Sequence, residues 1–289
     1  MVGWRHAVWA AAPASSRMAG VVSTAFDRDT AVTSRGDGQY EANLDRSWWI
    51  IGGPNGGYMA AVILRAMLEE VADAERAPRS LTIQYLSRPK EGAAQLQVKV
   101  ERAGRSVSSV SLRMNQGDKP IALAMGIFGT PRQGATFADA EPPQPPAPEE
   151  CVAVSSAMGN AVPMHAHYDS RLSPQHMPFS GGKDAVTEGW IRLAEPRVRD
   201  ALLVAAMTDA MPPAAFNREL SVAPTAGVPT LDLTIHFRAT LPSPAPADEY
   251  CRFRFVSRHA HEGYMEEDGE VWSADGVLLA QSRQLALIG

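Results

Sequence analysis

Apolar and polar residues alternate with a period of two along several stretches of the chain. Leu96, Val98 and Val100 interleave with Gln95, Gln97, Lys99 and Glu101. Leu231, Leu233, Ile235 and Phe237 interleave with Thr230, Asp232, Thr234, His236 and Arg238. One polar face at period two predicts antiparallel strands with one side in water. Turn residues at Asn115 to Pro120 and at Asp275-Gly276 predict hairpins. Two stretches break the alternation and are apolar nearly all round, which predicts helices buried on most sides. The first runs from Asn55, a good N-cap placed after Pro54, to about Ala74. The second runs from about Arg197 to Met211, has the core Ala201 to Met207, and is ended by Pro212 and Pro213. A short strand precedes each helix, at Gln39 to Arg46 and at Val186 to Ala194.

The chain also repeats itself. Leu81-Thr82-Ile83-Gln84-Tyr85 is echoed by Leu233-Thr234-Ile235-His236-Phe237. The segment Gly117 to Ala124 is echoed by Asp275 to Ala280. A separation near 150 residues is too long for a solenoid and predicts one domain duplicated and fused. The expected organisation is a disordered N-terminal extension over residues 1–20, a first domain over 21–129, a Pro-rich linker and connection over 130–180 and a second domain over 181–289. The expected class is α+β, with each half an antiparallel sheet wrapped around one central helix. Thr130 to Glu150, rich in proline, reads as an extended solvated linker. Matching the halves places Phe128 opposite Gln284, Pro78 opposite Thr230 and Glu69 opposite Asp209.

Composition narrows the function. The 289 residues are 45% hydrophobic and 20% charged, with net charge -5, enough for two ordinary cores. No long basic run exists, so nucleic acid is not an expected partner. Arg252 to Arg258 alternates like a solvated strand face. Cys151 and Cys251 lie outside any CxxC or Cys/His cluster, which gives no zinc signature and no expected metal; a disulfide between them stays open. Two lone thiols fit a reducing cytoplasm. No stretch reaches the ~20 apolar residues that span a bilayer. Met1 to Ser16 makes a poor signal peptide, broken by Arg5, His6 and Pro13, and Met18 is an alternative start. The pairs His165/His167 and His259/His261 read as solvated loop residues.

Asp209 stands out. It is the only ionisable side chain between Asp200 and Arg218, at the end of an otherwise apolar helix. Burial raises a carboxyl pKa, and a helix C-terminus disfavours negative charge. Such a costly position points to function or to a cap on the Pro212-Pro213 turn.

The run Trp48-Trp49-Ile50-Ile51-Gly52-Gly53-Pro54-Asn55-Gly56-Gly57-Tyr58 resembles the stretch leading into the central helix of the TesB-like acyl-CoA thioesterases (thioesterase II). Leu86 to Pro89, Arg105-Ser106, Asn115 to Pro120, Thr230 to Phe237 and Asp275 to Ala280 also resemble that family in order, over roughly Val21 to Ile288. The resemblance implies a double hotdog fold and hydrolysis of acyl-CoA to free acid and CoA without a cofactor. It implies that Asp209, Thr230 and Gln284 hold the attacking water, with Thr234 and Thr225 as alternatives to Thr230. Gly56 or Gly57 is the expected oxyanion donor, unless these glycines serve only the tight turn. Trp48, Trp49 and Tyr58 line an acyl tunnel or belong to the core. Because the first half lacks the polar set, one site per chain is expected. Analogy implies a homodimer or larger assembly. The competing readings are a non-catalytic acyl-CoA or lipid-binding protein and a double-hotdog enoyl-CoA hydratase, whose Asp and His motif is missing here.

Overall fold

The computed structural model describes residues 23–155, 162–220, 227–243 and 245–289. The reading of residues 1–20 as an extension, the start at Met18 and the alternative Thr225 lie outside the described residues. The first half contributes strands β1 (Val32–Gly36), β2 (Gln39–Leu44), β3 (Ala77–Tyr85), β4 (Gly92–Ala103), β5 (Val107–Gln116) and β6 (Lys119–Gly129). The second contributes β7 (Val152–Ala153), β8 (Tyr168–Leu172), β9 (Ala185–Leu193), β10 (Thr230–Phe237), β11 (Cys251–Ser257), β12 (Ala260–His261), β13 (Tyr264–Ser273) and β14 (Leu278–Leu287). They form one sheet in the order β1-β2-β4-β5-β6-β3-β10-β14-β13-β11-β9-β8-β7, with β12 paired to β13.

The halves meet where β3 pairs antiparallel with β10. Thr82 faces Thr234, Leu81 faces Ile235, and Ile83 faces Leu233. These are the residues that the repeat equates, so a pseudo-two-fold axis passes between Thr82 and Thr234, and the joint is self-complementary as in a symmetric dimer. The two threonine hydroxyls lie 3.1 Å apart across it.

The helices that accompany the sheet include α1 (Ala25–Asp29), α2 (Gly56–Val71) and α3 (Ala201–Met207). From Tyr58 to Leu64 every residue of α2 is buried, so this helix has no wet face over its first two turns. It packs on β4, β5 and β6 and against α3. Asn55 caps it by accepting the Tyr58 N–H at 2.9 Å.

The second helix is shorter than its apolar pattern predicts. It starts after Asp200, whose carboxylate accepts the Leu203 N–H at 3.0 Å. Arg197 stays outside, pairing through its guanidinium with Asp27 and Asp200. The far end stops at Met207 because the Thr208 hydroxyl donates to Ala205 O at 2.7 Å, a local bond that competes with the helical ladder. The first helix likewise ends at Val71 rather than Ala74, with Ala72 in a left-handed conformation. Residues 131–141 run exposed. The linker's later part is not solvated, because Pro143 is buried and Pro146 O accepts from Trp190 Nε1 at 2.7 Å. Cys151 and Cys251 are separate free thiols, both buried.

Candidate active site

The N-terminus of α2 abuts the C-terminal end of α3, and the two halves build one site there. Asp209 follows α3 by two residues. Its Oδ2 accepts the Gly57 N–H and the Asn55 Nδ2–H, both at 3.1 Å. Asn55 Nδ2 also donates to the Asp209 carbonyl at 2.6 Å. The positive end of α2 therefore offsets the unfavourable end of α3 for this carboxylate. This contact demands glycine. A Cβ on Gly57 would lie 2.2 Å from Ala206 O, and one on Gly56 would lie 2.7 Å from Asp209 Oδ2. Burial nevertheless dominates and pushes the Asp209 carboxyl up to about 6, against the lowering effect of Gly57, Gln284, Gly56 and Asn55.

Asp209 lines a cavity of about 200 Å³ together with Thr230 at the start of β10, Gln284 on β14 and Glu267 on β13. Thr230 Oγ1 donates to Gln284 Oε1 at 2.7 Å, and Gln284 Nε2 donates to Glu267 Oε1 at 2.9 Å. The Ala214 N–H closes the series on Glu267 Oε2 at 2.6 Å. Burial raises the Glu267 carboxyl to about 7, and the nearby Asp209 charge pushes the same way. Tyr85 lines the same cavity beside Gly56; its hydroxyl donates to Gly56 O at 2.8 Å, and burial raises its pKa well above the ordinary value. Met59, Ile121, Val162 and Met164 make the apolar part of the wall. Ile51, 79% exposed, also lines the cavity, and the Arg88 guanidinium lies beside Gly52.

An apolar chamber ending in a polar cluster suits a long apolar ligand with one reactive polar group. Residues 45–129 match the acyl-CoA thioesterase N-terminal domain, and residues 148–288 match the acyl-CoA thioesterase C-terminal domain. The chain belongs to the acyl-CoA thioesterase family. A hotdog-fold protein from Alicyclobacillus acidocaldarius superposes with a TM-score of 0.80 and 26% identity, covering 93% of this chain and 99% of that one. The acyl-CoA thioesterase II TesB2 from Mycobacterium marinum superposes at 0.73 with 20% identity, covering 92% and 97%. An uncharacterized Mycobacterium tuberculosis protein is 25% identical over 275 residues, 86% of this chain and 90% of that protein. The double hotdog expected from the sequence is the fold of this thioesterase-family chain, and no helix among the described residues is long and apolar enough to cross a membrane.

Asp209, Thr230, Gln284 and Gly56 all line the cavity; Gly57, Tyr58 and Trp49 do not. In this structure the Gly57 N–H is committed to Asp209 rather than open for an oxyanion. Tyr58 is fully buried on the other side of α2, where its hydroxyl donates to Asp29 O at 2.7 Å and its ring stacks on Trp48. Trp49 is buried, with Arg46 over its ring. These aromatics form core rather than tunnel. Thr234 faces Thr82 across the seam, away from Gln284.

The histidine reading needs correction. The short 3-10 turn Pro163–His167 packs on the turn Arg46–Trp48, with the Met164 N–H bonded to Trp49 O. His167 therefore stacks on Trp48 at 3.9 Å, and His165 lines the cavity, with burial lowering both imidazole pKa values. His259 and His261 are exposed as expected. Sheet register also corrects the matching of the halves. Leu233 faces Gln284 and Leu81 faces Gly126, so Gly126, not Phe128, is the counterpart of Gln284. Phe128 is instead the counterpart of Ala286, and Pro78 does match Thr230. Glu69 is exposed on α2 and has no place in a buried cluster.

Glu267 was not foreseen. Its signal is present in Met265, Glu267, Gly269 and Val271, which alternate as an inward face, but the acidic run Glu266-Glu267-Asp268 resembles a solvated surface.

Proposed function

We propose that this protein hydrolyses acyl-CoA thioesters, with Asp209 as the base that takes a proton from the attacking water. The observation that carries this reading is the Asp209 carboxylate, held at a cavity wall by the α2 N-terminus and raised to about 6. A base of that strength is largely ionised near neutrality and still accepts a proton usefully. Thr230 and Gln284, on neighbouring strands, orient the same water. Water oxygen bonds to the thioester carbonyl carbon as one of its protons passes to Asp209, and the C–S bond then breaks as Asp209 returns that proton to the leaving sulfur, releasing acid and CoA thiol. The apolar wall takes the acyl chain. The name of the M. marinum relative, an acyl-CoA thioesterase II, supports the substrate class.

The test is thiol release from butanoyl-, octanoyl- and palmitoyl-CoA by the full chain and by Asp209→Asn. The variant should lose kcat by about 10² to 10⁴, with acyl-CoA binding by calorimetry retained. Unchanged turnover in Asp209→Asn removes Asp209 from the reaction. Binding by the parent without any thiol release favours the non-catalytic reading.

A further inference from the structure

Three side chains serve the hydrolytic reading, and a fourth polar group on the same wall has no task in it. Glu267 is 5% exposed. The charged groups that bear on it, Asp209 and Glu266, are both acidic. Among the described residues, Tyr85, His165 and Arg88 are the other titratable or charged residues around the cavity. A buried carboxylate without a countercharge is costly to keep.

Its hydrogen bonds assign it a use. An ionised carboxylate only accepts. Glu267 takes the Ala214 N–H on Oε2 and a Gln284 Nε2–H on Oε1. The amide group of Gln284 is thereby fixed end for end, with Nε2 toward Glu267 and Oε1 toward Thr230. Thr230 has a single hydroxyl proton and spends it on that Oε1. Its oxygen then meets the cavity as an acceptor. A water lying between Thr230 and the Asp209 carboxylate would donate one hydrogen to each, with both of its lone pairs left free on the side of the thioester carbon.

We propose that Glu267 is a positioning residue that sets the direction of the hydrogen-bond chain running from Ala214 through Gln284 and Thr230 to the attacking water. This rests on the hydrolytic reading above. The isosteric change Glu267→Gln reverses the chain. The new carboxamide must keep its oxygen on the Ala214 N–H, so it turns its NH2 toward Gln284. Gln284 answers with Oε1 and presents Nε2 to Thr230. Thr230 then points its own proton at the water, which occupies one of its two lone pairs, withdraws electron density from the attacking oxygen and turns it from the thioester carbon. Protonation of Glu267 on Oε1 has the same effect. Activity should therefore fall as pH drops through about 7 and again through about 6, an acid limb steeper than one proton that belongs to the coupled pair Glu267 and Asp209.

The experiment measures thiol release from the same three acyl-CoAs against pH, beside the Gln284 side-chain amide signals in a ¹⁵N-labelled full chain, assigned by their loss in Gln284→Met. Glu267→Gln should lower kcat on the order of a hundredfold with KM within about threefold, and reduce the acid limb to a single proton. Glu267→Asp, still only an acceptor when ionised, should recover part of kcat and the steeper limb. The Gln284 amide signals should step with pH near 7 in the parent and lose that step in Glu267→Gln. Retained kcat with an unchanged limb in Glu267→Gln overturns the proposal, and so do Gln284 signals indifferent to pH. If the parent releases no thiol, the hydrolytic reading fails alone, because the amide titration still decides whether Glu267 directs the chain.

Discussion

The same sheet positions in the two halves hold opposite chemistry. In the second half Gln284, Thr230 and Glu267 gather around Asp209. Their counterparts in the first half, by strand register, are Gly126, Pro78 and Val110. The space above Gly126 is already taken, because a Cβ there would lie 2.8 Å from the Phe128 ring and 2.9 Å from the Met67 sulfur. The helices differ in the same sense. The longer α2 carries Met67 over that position, while α3 stops at Met207 and leaves its end to Asp209 and the cavity. A duplicated fold has been filled with apolar side chains on one side and opened with polar ones on the other. The filled half still takes part, since its helix N-terminus holds the other half's carboxylate.

The largest effect expected from breaking this asymmetry comes from Phe128→Ala. Phe128 is fully buried and plugs the first half. Removing the ring should cost about 3 to 5 kcal/mol by chemical denaturation, since packed surroundings collapse only partly around a cavity. Acyl-CoA turnover per folded molecule should stay at the parental level, with no second activity surviving in the double variant with Asp209→Asn. Thiol release restored in that double variant would show that the first half has a latent site.

The opened half should carry a stability cost, and Asp209→Asn reads it. The Asp209 carboxyl is held at about 6, above its ordinary value, so the folded state binds this proton more tightly than the unfolded chain does. The contribution to stability is full below about pH 4 and is lost as pH rises through about 6. The variant has no charge to bury, and its carboxamide oxygen can still accept from Gly57 and Asn55. It should be more stable than the parent by about 3 kcal/mol at pH 8 and gain nothing at pH 4, read from denaturation midpoints. Equal stability at pH 8 would mean that the α2 N-terminus already compensates the charge fully.

How far the sequence reveals this asymmetry depends on the kind of signal. The strands around Val98 and Ile235 and the two apolar helices follow from periodicity, because burial selects side chains by face. Helix ends do not, because Thr208 and Arg197 act through side-chain bonds that no apolar pattern records. Asp209 is visible as a lone acid in an apolar stretch. Thr230 and Gln284 are ordinary strand residues by pattern, and only the family resemblance singles them out. Glu267 hides in a run of acids. Matching the final hairpins by motif misplaces Phe128 by two residues, because Ala122 and Ala124 both fit the pattern of Ala280 and the motif takes Ala124; the one-residue bulges beside Met114 and Val271 are equivalent and make Ala122 the true counterpart.

The smallest effect lies on the axis relating the halves. Thr82 and Thr234 face each other at the seam, and their hydroxyls share one exposed hydrogen bond. Thr82→Val keeps the β-branched shape that suits a strand and leaves Thr234 free to bond water. The loss should be under about 0.5 kcal/mol, because an exposed bond is exchanged for one to solvent. Thr234→Val should cost the same amount, since the two positions are equivalent across the pseudo-two-fold. The double variant should cost little more than either single one, because the first substitution already removes the only bond they share. Thermal denaturation of the four proteins checks this. Unequal single effects would mean that the two sides of the seam have diverged as the two helix ends have.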